Sequence, residues 1–256
     1  MCLILFAWQS HPRYPLVIAA NRDEFHDRPT APAEFWKDAP AILAGRDLEA
    51  GGTWLGVSRA GRFAAISNYR EPLFKASPLE YSRGHLVRDF LLGDSAPAEH
   101  AVALQEQGSH YRGFNLLIGN PESLLYVSNR TDKPVDVNAG SHGLSNHLLD
   151  TDWPKVHSGG ARMDTVLQQE QVDPEALLEL LADRTTADPA RLTTEELQSE
   201  PEKMNNRLFI NSPVYGTRSS TVVLVTSDGE IAFVERQFNA DARPIGTRSH
   251  KFRISS

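Results

Sequence analysis

The sequence predicts an α+β fold in which two mainly antiparallel β-sheets lie face to face with helices on their outer faces. One observation is the order of the apolar patterns, in which strands, helices, strands, helices and strands follow one another along the chain. A second is that neighbouring predicted strands are joined by short polar turns, as in hairpins. The 256 residues contain no internal repeat and no evident linker, so residues 1–256 are expected to form a single domain.

The first half of the chain is predicted to be rich in strands. Residues 3–8 and 16–20 are apolar runs on either side of a polar, proline-rich turn, and residues 54–57 pair with 63–67 as a second hairpin. Residues 26–50 are rich in proline and in charged residues and are predicted to be a loop. The glycine pair that follows this loop indicates a backbone that turns sharply or approaches another group closely.

The spacing of the apolar residues then changes to a helical period. Residues 84–92 and 97–107 are predicted helices, and the second begins at a proline, which helices accept in their first turn. The remaining predictions, in chain order, are strands at 113–119 and 124–128, helices at 153–169 and 173–182, a polar mobile segment at 184–206, and strands at 221–226, 230–236 and 251–254.

Composition excludes several classes of function. The formal net charge is −7 with basic and acidic residues mixed along the chain, so no nucleic-acid partner is expected. The apolar run near the N-terminus is too short for a membrane span and lacks the basic residues that precede a signal-peptide core, so an integral membrane protein is not expected. The single cysteine excludes an intramolecular disulfide and a multi-cysteine zinc site, and it fits a cytoplasmic location.

That cysteine, Cys2, directly follows the initiator methionine. Methionine aminopeptidases remove Met1 when the next side chain is small, which would leave a thiol beside a free α-amine. An α-amine has a pKa of about 7.7–8.0, so it could accept the proton of its own nucleophile at neutral pH. The alternative is that Cys2 is a small apolar residue that opens a buried strand.

Polar residues stand where several predicted strands end or begin. An asparagine amide can donate to an oxyanion, and an arginine can hold a carboxylate, so these residues are candidates for a shared site. The alternative is that they simply make turns. The candidates are Asn21, Arg22 and Asp23 after the second strand, Asn68 and Tyr69 after the second hairpin, Ser145 and Asn146 after residues 143–144, and Arg218 before the strand at 221–226.

The segment Asn21-Arg22-Asp23-Glu24 resembles the signature of the NRDE family, which includes the eukaryotic transport and Golgi organisation proteins. The resemblance covers nearly the whole chain and implies a link to haem trafficking or to lipid and acyl-CoA metabolism. The matching residues, in order, are Met1-Cys2, 21–25, Arg28-Pro29, Trp36, 51–56, Asn68-Tyr69, Arg83-Gly84, 113–116, 143–146, 153–155 and 215–218.

A more distant resemblance is to the N-terminal nucleophile (Ntn) hydrolases of the choloylglycine hydrolase and penicillin acylase type. It implies a four-layer αββα sandwich with Cys2 as the nucleophile. Arg22 and Asp23 are the nearest matches to an arginine and an aspartate of that family, although the spacing leaves Asn21 or Glu24 open for either role. The resemblance further implies that Asn68 and Asn146 hold the oxyanion and that Arg218 lies near the nucleophile.

The resemblance implies hydrolysis of an amide-like C–N bond in a small acylated substrate, without a required cofactor. Asn21, Phe25, Trp54 and Tyr69 are expected to contact that substrate.

The alternative function is a non-enzymatic carrier of haem or of an acyl lipid on the same fold. His142, His147 and His157 could supply a haem ligand, but their spacing singles out no site. A further alternative is an inactive hydrolase fold that serves as an interaction scaffold.

Overall fold

The computed structural model describes residues 2–71, 81–185 and 206–255. Met1 and most of the polar segment predicted at 184–206 lie outside the described residues. Two antiparallel sheets, one 6-stranded (sheet A) and one 7-stranded (sheet B), contain the described strands. Across sheet A the strands are β10 (Gly140–Leu144), β1 (Cys2–Trp8), β2 (Leu16–Phe25), β11 (Tyr215–Val225), β12 (Glu230–Phe238) and β13 (Pro244–Arg253). Across sheet B they are β3 (Thr30–Phe35), β4 (Ile42–Asp47), β5 (Leu55–Ser58), β6 (Phe63–Asn68), β7 (Phe114–Gly119), β8 (Leu124–Ser128) and β9 (Val135–Asp136).

Strand β1 is buried on both faces, which explains why it is a continuous apolar run. Successive side chains of a strand point to opposite faces. In β1, Ile4 and Phe6 therefore face sheet B and join the core between the two sheets. Leu3 and Leu5 face outward and join a second core beneath helices.

Two helices cover the outer face of each sheet. Helices α1 (Gly84–Leu92) and α2 (Pro97–Gln107) pack on sheet B, whereas α3 (Pro154–Val166) and α4 (Pro174–Leu181) pack on sheet A. Helix α4 begins where the Asp173 side chain accepts a hydrogen bond from the backbone N–H of Glu175, a typical N-cap. The predicted architecture of two sheets between helical layers is confirmed.

The prediction of a loop at residues 26–50 is wrong, because β3 and β4 lie there. Strand β3 is at the edge of sheet B and contains Pro32, which an edge strand tolerates because its N–H side need not be paired. Its register with β4 is irregular between Ala31 and Glu34, so the alternating pattern that identifies a strand is broken.

The prediction that the second strand ends at Ala20 is also wrong, because β2 continues to Phe25. Polar residues 21–24 remain in the strand because β2 pairs with β11 as far as Phe25, and with β1 as far as Arg22. This extension carries polar side chains to the end of the sandwich.

The glycine pair before β5 marks both a turn and a close approach, as predicted. Gly51 has a φ of 75°, a conformation that favours glycine. A Cβ on Gly52 would lie 2.5 Å from the backbone carbon of Gly84, at the start of α1. The backbone N–H of Thr53 donates to the Gly84 carbonyl oxygen at 3.2 Å, so this contact joins β5 to α1.

We expect Gly52→Ala to destabilise the fold by about 1–3 kcal/mol, because the added methyl group meets backbone atoms that cannot rotate away. The matched control is Gly160→Ala, where nothing lies within 4 Å of the added Cβ. Gly160 lies within α3, so the alanine should stabilise the fold by roughly 0.5–1 kcal/mol. Urea unfolding of both variants checks this, and equal stability of Gly52→Ala and the wild type would contradict it.

Candidate functional site

A cavity of about 510 Å³ opens between the two sheets. The β1–β2 end of sheet A, the rim of sheet B and the start of α1 form its walls. Most of the predicted site residues line it, although they are far apart in sequence. They are Cys2, Arg22, Asp23, Trp54, Asn68 and Arg218.

Cys2 is held at the edge of this cavity by the pairing of β1. It lies opposite Arg22 in the register with β2, and its backbone oxygen accepts a hydrogen bond from Ser145 Oγ at 3.0 Å. Only 8% of Cys2 is exposed. Burial raises the pKa of the thiol, and the charge of Asp23 raises it further. The charge of Arg22 lowers the pKa of the thiol, but this effect is smaller than that of burial.

Asp23 is a buried carboxyl group next to Cys2. Its Oδ1 accepts a hydrogen bond from Thr217 Oγ1 at 2.6 Å. Burial raises the pKa of Asp23, whereas the charge of the N-terminal ammonium group, the charge of Lys155, the Thr217 hydrogen bond and the charge of Arg22 act in the opposite direction. The ionisation of Asp23 therefore depends on burial on one side and on nearby positive charges on the other.

The two predicted arginines of the cavity, Arg22 and Arg218, are each held by neighbouring groups. Arg22 Nη1 donates to Thr30 Oγ1 at 3.1 Å, and Arg22 Nη2 lies 4.0 Å from a carboxylate oxygen of Glu24. This arrangement links the end of β2 to β3 and leaves Arg22 beside Cys2.

Arg218 lies at a β-bulge of β11, a feature that re-aims side chains near functional sites. Its Nη1 donates to the backbone carbonyl oxygens of Phe25, His26 and Arg28 at 2.8, 3.1 and 3.1 Å. Burial lowers the pKa of Arg218, and the like charge of Arg22 lowers it further. Arg218 therefore orders the chain after β2 and keeps its charge close to Arg22.

The two predicted oxyanion donors have different positions. Asn68 lines the cavity. Asn146 does not; its Nδ2 instead donates to the backbone oxygen of Asn68 at 2.9 Å. Asn146 adopts a φ of 53°, so this bond comes from a left-handed backbone position that asparagine tolerates. The structure therefore places Asn146 behind Asn68 and not beside it in the cavity.

The predicted substrate contacts are only partly in the cavity. Trp54 lines it, whereas Tyr69 is directed to His147, whose Nε2 lies 3.2 Å from the tyrosine hydroxyl. Phe25 is 55% exposed and packs edge-to-face on Tyr215 outside the cavity.

Asn21, which is predicted to contact substrate, does not line the cavity. Asn21 faces the helical side of sheet A, where its Nδ2 donates to the carbonyl oxygens of Leu181 and Leu208 at 2.9 and 2.8 Å. Its Oδ1 accepts from Ser220 Oγ at 2.6 Å. The alternation of β2 explains this, since Arg22 faces the cavity and Asn21 therefore faces away.

Sequence reasoning missed Glu235, which lines the cavity from β12 and is 3% exposed. Its Oε1 accepts a hydrogen bond from the backbone N–H of Ala33 at 2.8 Å, so it joins the two sheets. Burial raises the pKa of Glu235 to about 7. The signal was present, because Ile231 and Phe233 on the same face of β12 are core residues and Glu235 follows them at the same period.

Sequence reasoning also missed Lys155, in the first turn of α3. It is 1% exposed and lies on the helical side of sheet A, where its charge interacts with Asp23 and Cys2. Its Nζ has no hydrogen-bond partner among the described residues. Burial lowers the pKa of Lys155 to about 8.

The predicted histidines do not form a metal centre in the described part of the chain, where no group of three or more His, Cys, Asp or Glu residues could hold a metal ion. The His142 ring contacts Asp150 Oδ2 at 2.7 Å and the Asn138 carbonyl oxygen at 2.9 Å. His147 Nδ1 contacts Thr151 Oγ1 at 2.9 Å. In the same ranges, every helix falls short of the length and apolar character that crossing a membrane requires.

Residues 1–240 match the family model described as Transport and Golgi organisation 2. The chain is 34% identical to the Transport and Golgi organization protein 2 homolog of Bos taurus and 32% identical to that of Homo sapiens, each over 100% of both chains. It is 27% identical to Transport and Golgi organization protein 2 of Drosophila melanogaster, over 92% of this chain and 91% of that protein.

Solved structures share the fold at low sequence identity. Penicillin V acylase from Agrobacterium tumefaciens matches with a TM-score of 0.51 at 12% identity, over 99% of this chain and 86% of that one. The C2A mutant of conjugated bile acid hydrolase from Clostridium perfringens matches with a TM-score of 0.50 at 10% identity, over 100% of this chain and 98% of that one. The fold is therefore that of the Ntn hydrolases.

We expect Glu235→Gln to remove a pH-dependent loss of stability. The folded state favours the protonated carboxyl group, so its contribution is fully present below the ordinary pKa of 4.5 and is lost as the pH rises through about 7. This pKa shift corresponds to a change of about 3 kcal/mol at most in the free energy of unfolding. Glutamine keeps an oxygen that accepts the hydrogen bond from the Ala33 N–H. The variant should therefore be more stable than wild type above pH 7 and equally stable near pH 4.5.

Urea unfolding across this pH range measures the difference. The control is Glu122→Gln, which replaces an exposed glutamate in a turn. An identical pH dependence for wild type and Glu235→Gln would contradict the expectation.

Proposed function

The chain belongs to the Transport and Golgi organisation 2 family, and from its fold and its cavity we propose that it hydrolyses an amide-like C–N bond of a small acylated substrate through Cys2. The observation that carries this proposal is the position of Cys2. It lines a cavity together with Arg22, Asp23 and Asn68, which independent turn residues would have no reason to share.

In this proposal Met1 is removed, and the α-amine of Cys2 is the base. The Cys2 sulfur forms a bond to the substrate carbonyl carbon while its proton passes to the α-amine. Because burial raises the pKa of the thiol, proton transfer accompanies the attack and no preformed thiolate is needed. Asp23 stabilises the ammonium group that this proton transfer produces.

The tetrahedral intermediate carries a negative oxygen, which the side chain of Asn68 stabilises as a hydrogen-bond donor. Asn146 acts indirectly, by fixing the Asn68 backbone. The ammonium group then gives its proton to the leaving nitrogen, the C–N bond breaks, and a thioester remains. A water molecule loses a proton to the amine and attacks the thioester, which releases the carboxylic acid and restores the thiol.

The cavity walls indicate the kind of substrate. Most residues that line the cavity are polar or charged, while Trp54, Ile66 and Phe238 supply apolar surface. Arg22 brings positive charge beside the nucleophile. An apolar acyl or aryl group next to the scissile bond fits such walls. A cytoplasmic location belongs to the proposal, since a reducing compartment keeps the lone thiol free.

A carrier of an acyl lipid or of haem in the same cavity is the other proposal. It comes from the family resemblance, and no hydrogen bond or charge described above favours it over hydrolysis. Carriage would need the cavity but not the nucleophile, so substitution of Cys2 by alanine separates the two.

We expect Cys2→Ala to lower the hydrolysis of acyl amides by about a thousandfold or more, because the nucleophile is lost. Wild type and variant should be tested with a panel of acyl amides, acyl-homoserine lactones and acyl thioesters. Cys2→Ser is the matched variant, since it keeps a weaker nucleophile and should retain a trace of activity. Intact mass should show that all three chains begin at residue 2. Equal turnover in wild type and Cys2→Ala would assign the activity to another site.

We expect Asn68→Ala to lower kcat by about 10²–10³-fold with a smaller change in KM, because an oxyanion donor acts mainly in the transition state. Asn138→Ala is the control, since Asn138 is exposed and outside the cavity. Steady-state kinetics on any substrate that the wild type turns over gives the answer. A loss confined to KM would show that Asn68 binds substrate without holding the oxyanion.

A further inference from the structure

Lys155 is placed where a lysine costs stability. Its side chain is 1% exposed, and its Nζ has no hydrogen-bond partner within residues 2–71, 81–185 and 206–255. An ammonium group buried without a partner loses its hydration without replacement. Lys155 also lies in the first turn of α3, where the positive end of the helix dipole disfavours a cation. The Trp153 ring, with its centroid 5.7 Å from Nζ, offers only weak compensation.

The charged groups that face Lys155 explain what this placement achieves. Asp23 on β2 and Cys2 on β1 attract its charge, whereas Arg70, after β6, repels it. Asp23 is 3% exposed, and burial alone would favour its neutral form. The N-terminal ammonium group, Thr217 and Arg22 also favour its carboxylate. Lys155 adds a positive charge from α3, which packs on the helical side of sheet A against β1.

We propose that Lys155 is a positioning residue, the counter-ion that keeps the Asp23 carboxylate ionised behind Cys2. This role rests on the proposed function, in which the Asp23 carboxylate holds the ammonium form of the Cys2 α-amine. A neutral Asp23 would hold that ammonium group less strongly. Lys155 never touches the substrate, because sheet A lies between it and the core that the sheets share.

The first test is an infrared spectrum at pH 7, which distinguishes a carboxylic acid from a carboxylate by its carbonyl band. Lys155→Met removes the charge and keeps the volume and the apolar stem. Glu235, whose pKa is about 7, contributes a carboxylic-acid band in every variant. Lys155→Met should show an additional carboxylic-acid band that is absent from wild type and from the double variant Asp23→Asn/Lys155→Met. A protonated Asp23 in the wild type, or an ionised Asp23 in Lys155→Met, would overturn the proposal. This spectrum needs no substrate, so it holds whether or not the protein is a hydrolase.

The second test is stability. The lowered pKa of Lys155 means that its penalty is fully present below about pH 8 and is relieved as the pH rises toward 10.5. Lys155→Met should therefore melt at a higher temperature than wild type below pH 8, with a margin that shrinks above it. Arg62→Met is the matched control, since Arg62 is another buried cation but donates to the carbonyl oxygens of Phe90 and Ser95.

Arg62→Met should melt at a lower temperature than wild type and should show no new carboxylic-acid band, because Arg62 stabilises the fold and lies on the other sheet. A melting temperature of Lys155→Met lowered as far as that of Arg62→Met would identify Lys155 as a structural cation and overturn the proposal.

The third test uses turnover. The acidic limb of the kcat/KM profile should move to higher pH in Lys155→Met, because Asp23 then ionises at higher pH, and Lys155→Arg should restore it at least in part. An acidic limb at the same pH in wild type and in Lys155→Met would overturn the proposed role of Lys155. Wild type without turnover on any amide would instead count against the proposed function, while the infrared result still decides the role of Lys155.

Discussion

Strand β1 pairs with β2 so that Cys2 lies opposite Arg22, and the position of the cavity groups depends on this register. A slip of one residue would turn every side chain of β1 to the other face of the sheet. Leu3 would then face the cavity, and the thiol would lie beneath the helices. Because β1 and β2 are buried on both faces, with separate apolar cores above and below, such a slip would also exchange large side chains between two packed layers. The packing of the whole sandwich therefore fixes the position of one thiol.

Polar side chains near the end of β2 are buried in two different ways. Asn21 is satisfied on the helical side by two carbonyl oxygens and a hydroxyl group, so its burial costs little beyond ordering the side chain. Lys155 and Glu235 are buried with fewer partners, and burial shifts the pKa of each toward neutrality. Glu235 lines the cavity, and the charge of Lys155 interacts with Asp23 and Cys2 at its edge. Buried ionisable groups with shifted pKa values are typical of functional sites.

Sequence patterns predicted the helices and the strand hairpins well, because these elements have apolar residues at regular periods. The helices at Gly84–Leu92 and Pro97–Gln107 begin and end at the predicted residues. Strands β3 and β4 were missed because proline, charge and an irregular register hide the alternation. Arg22, Asp23, Asn68 and Arg218 were found as candidates because a polar residue next to an apolar run is conspicuous, and Cys2 because it follows the initiator methionine. Trp54 was found as an expected substrate contact. The inward or outward direction of Asn21 and the position of Asn146 depend on pairing and on a left-handed backbone, which no linear pattern records.

Cys2 is both the first residue of β1 and part of the cavity lining, and this has a practical consequence for anyone preparing the protein. A peptide fused ahead of Cys2 would have to begin at the cavity wall, next to Arg22 and Asp23. An affinity tag there would compete with small molecules for the same space and would convert the α-amine into an amide. A tag after residue 255 avoids this, since Arg253 and Ser255 are exposed. Material purified through its C-terminus is thus the appropriate starting point for ligand screening.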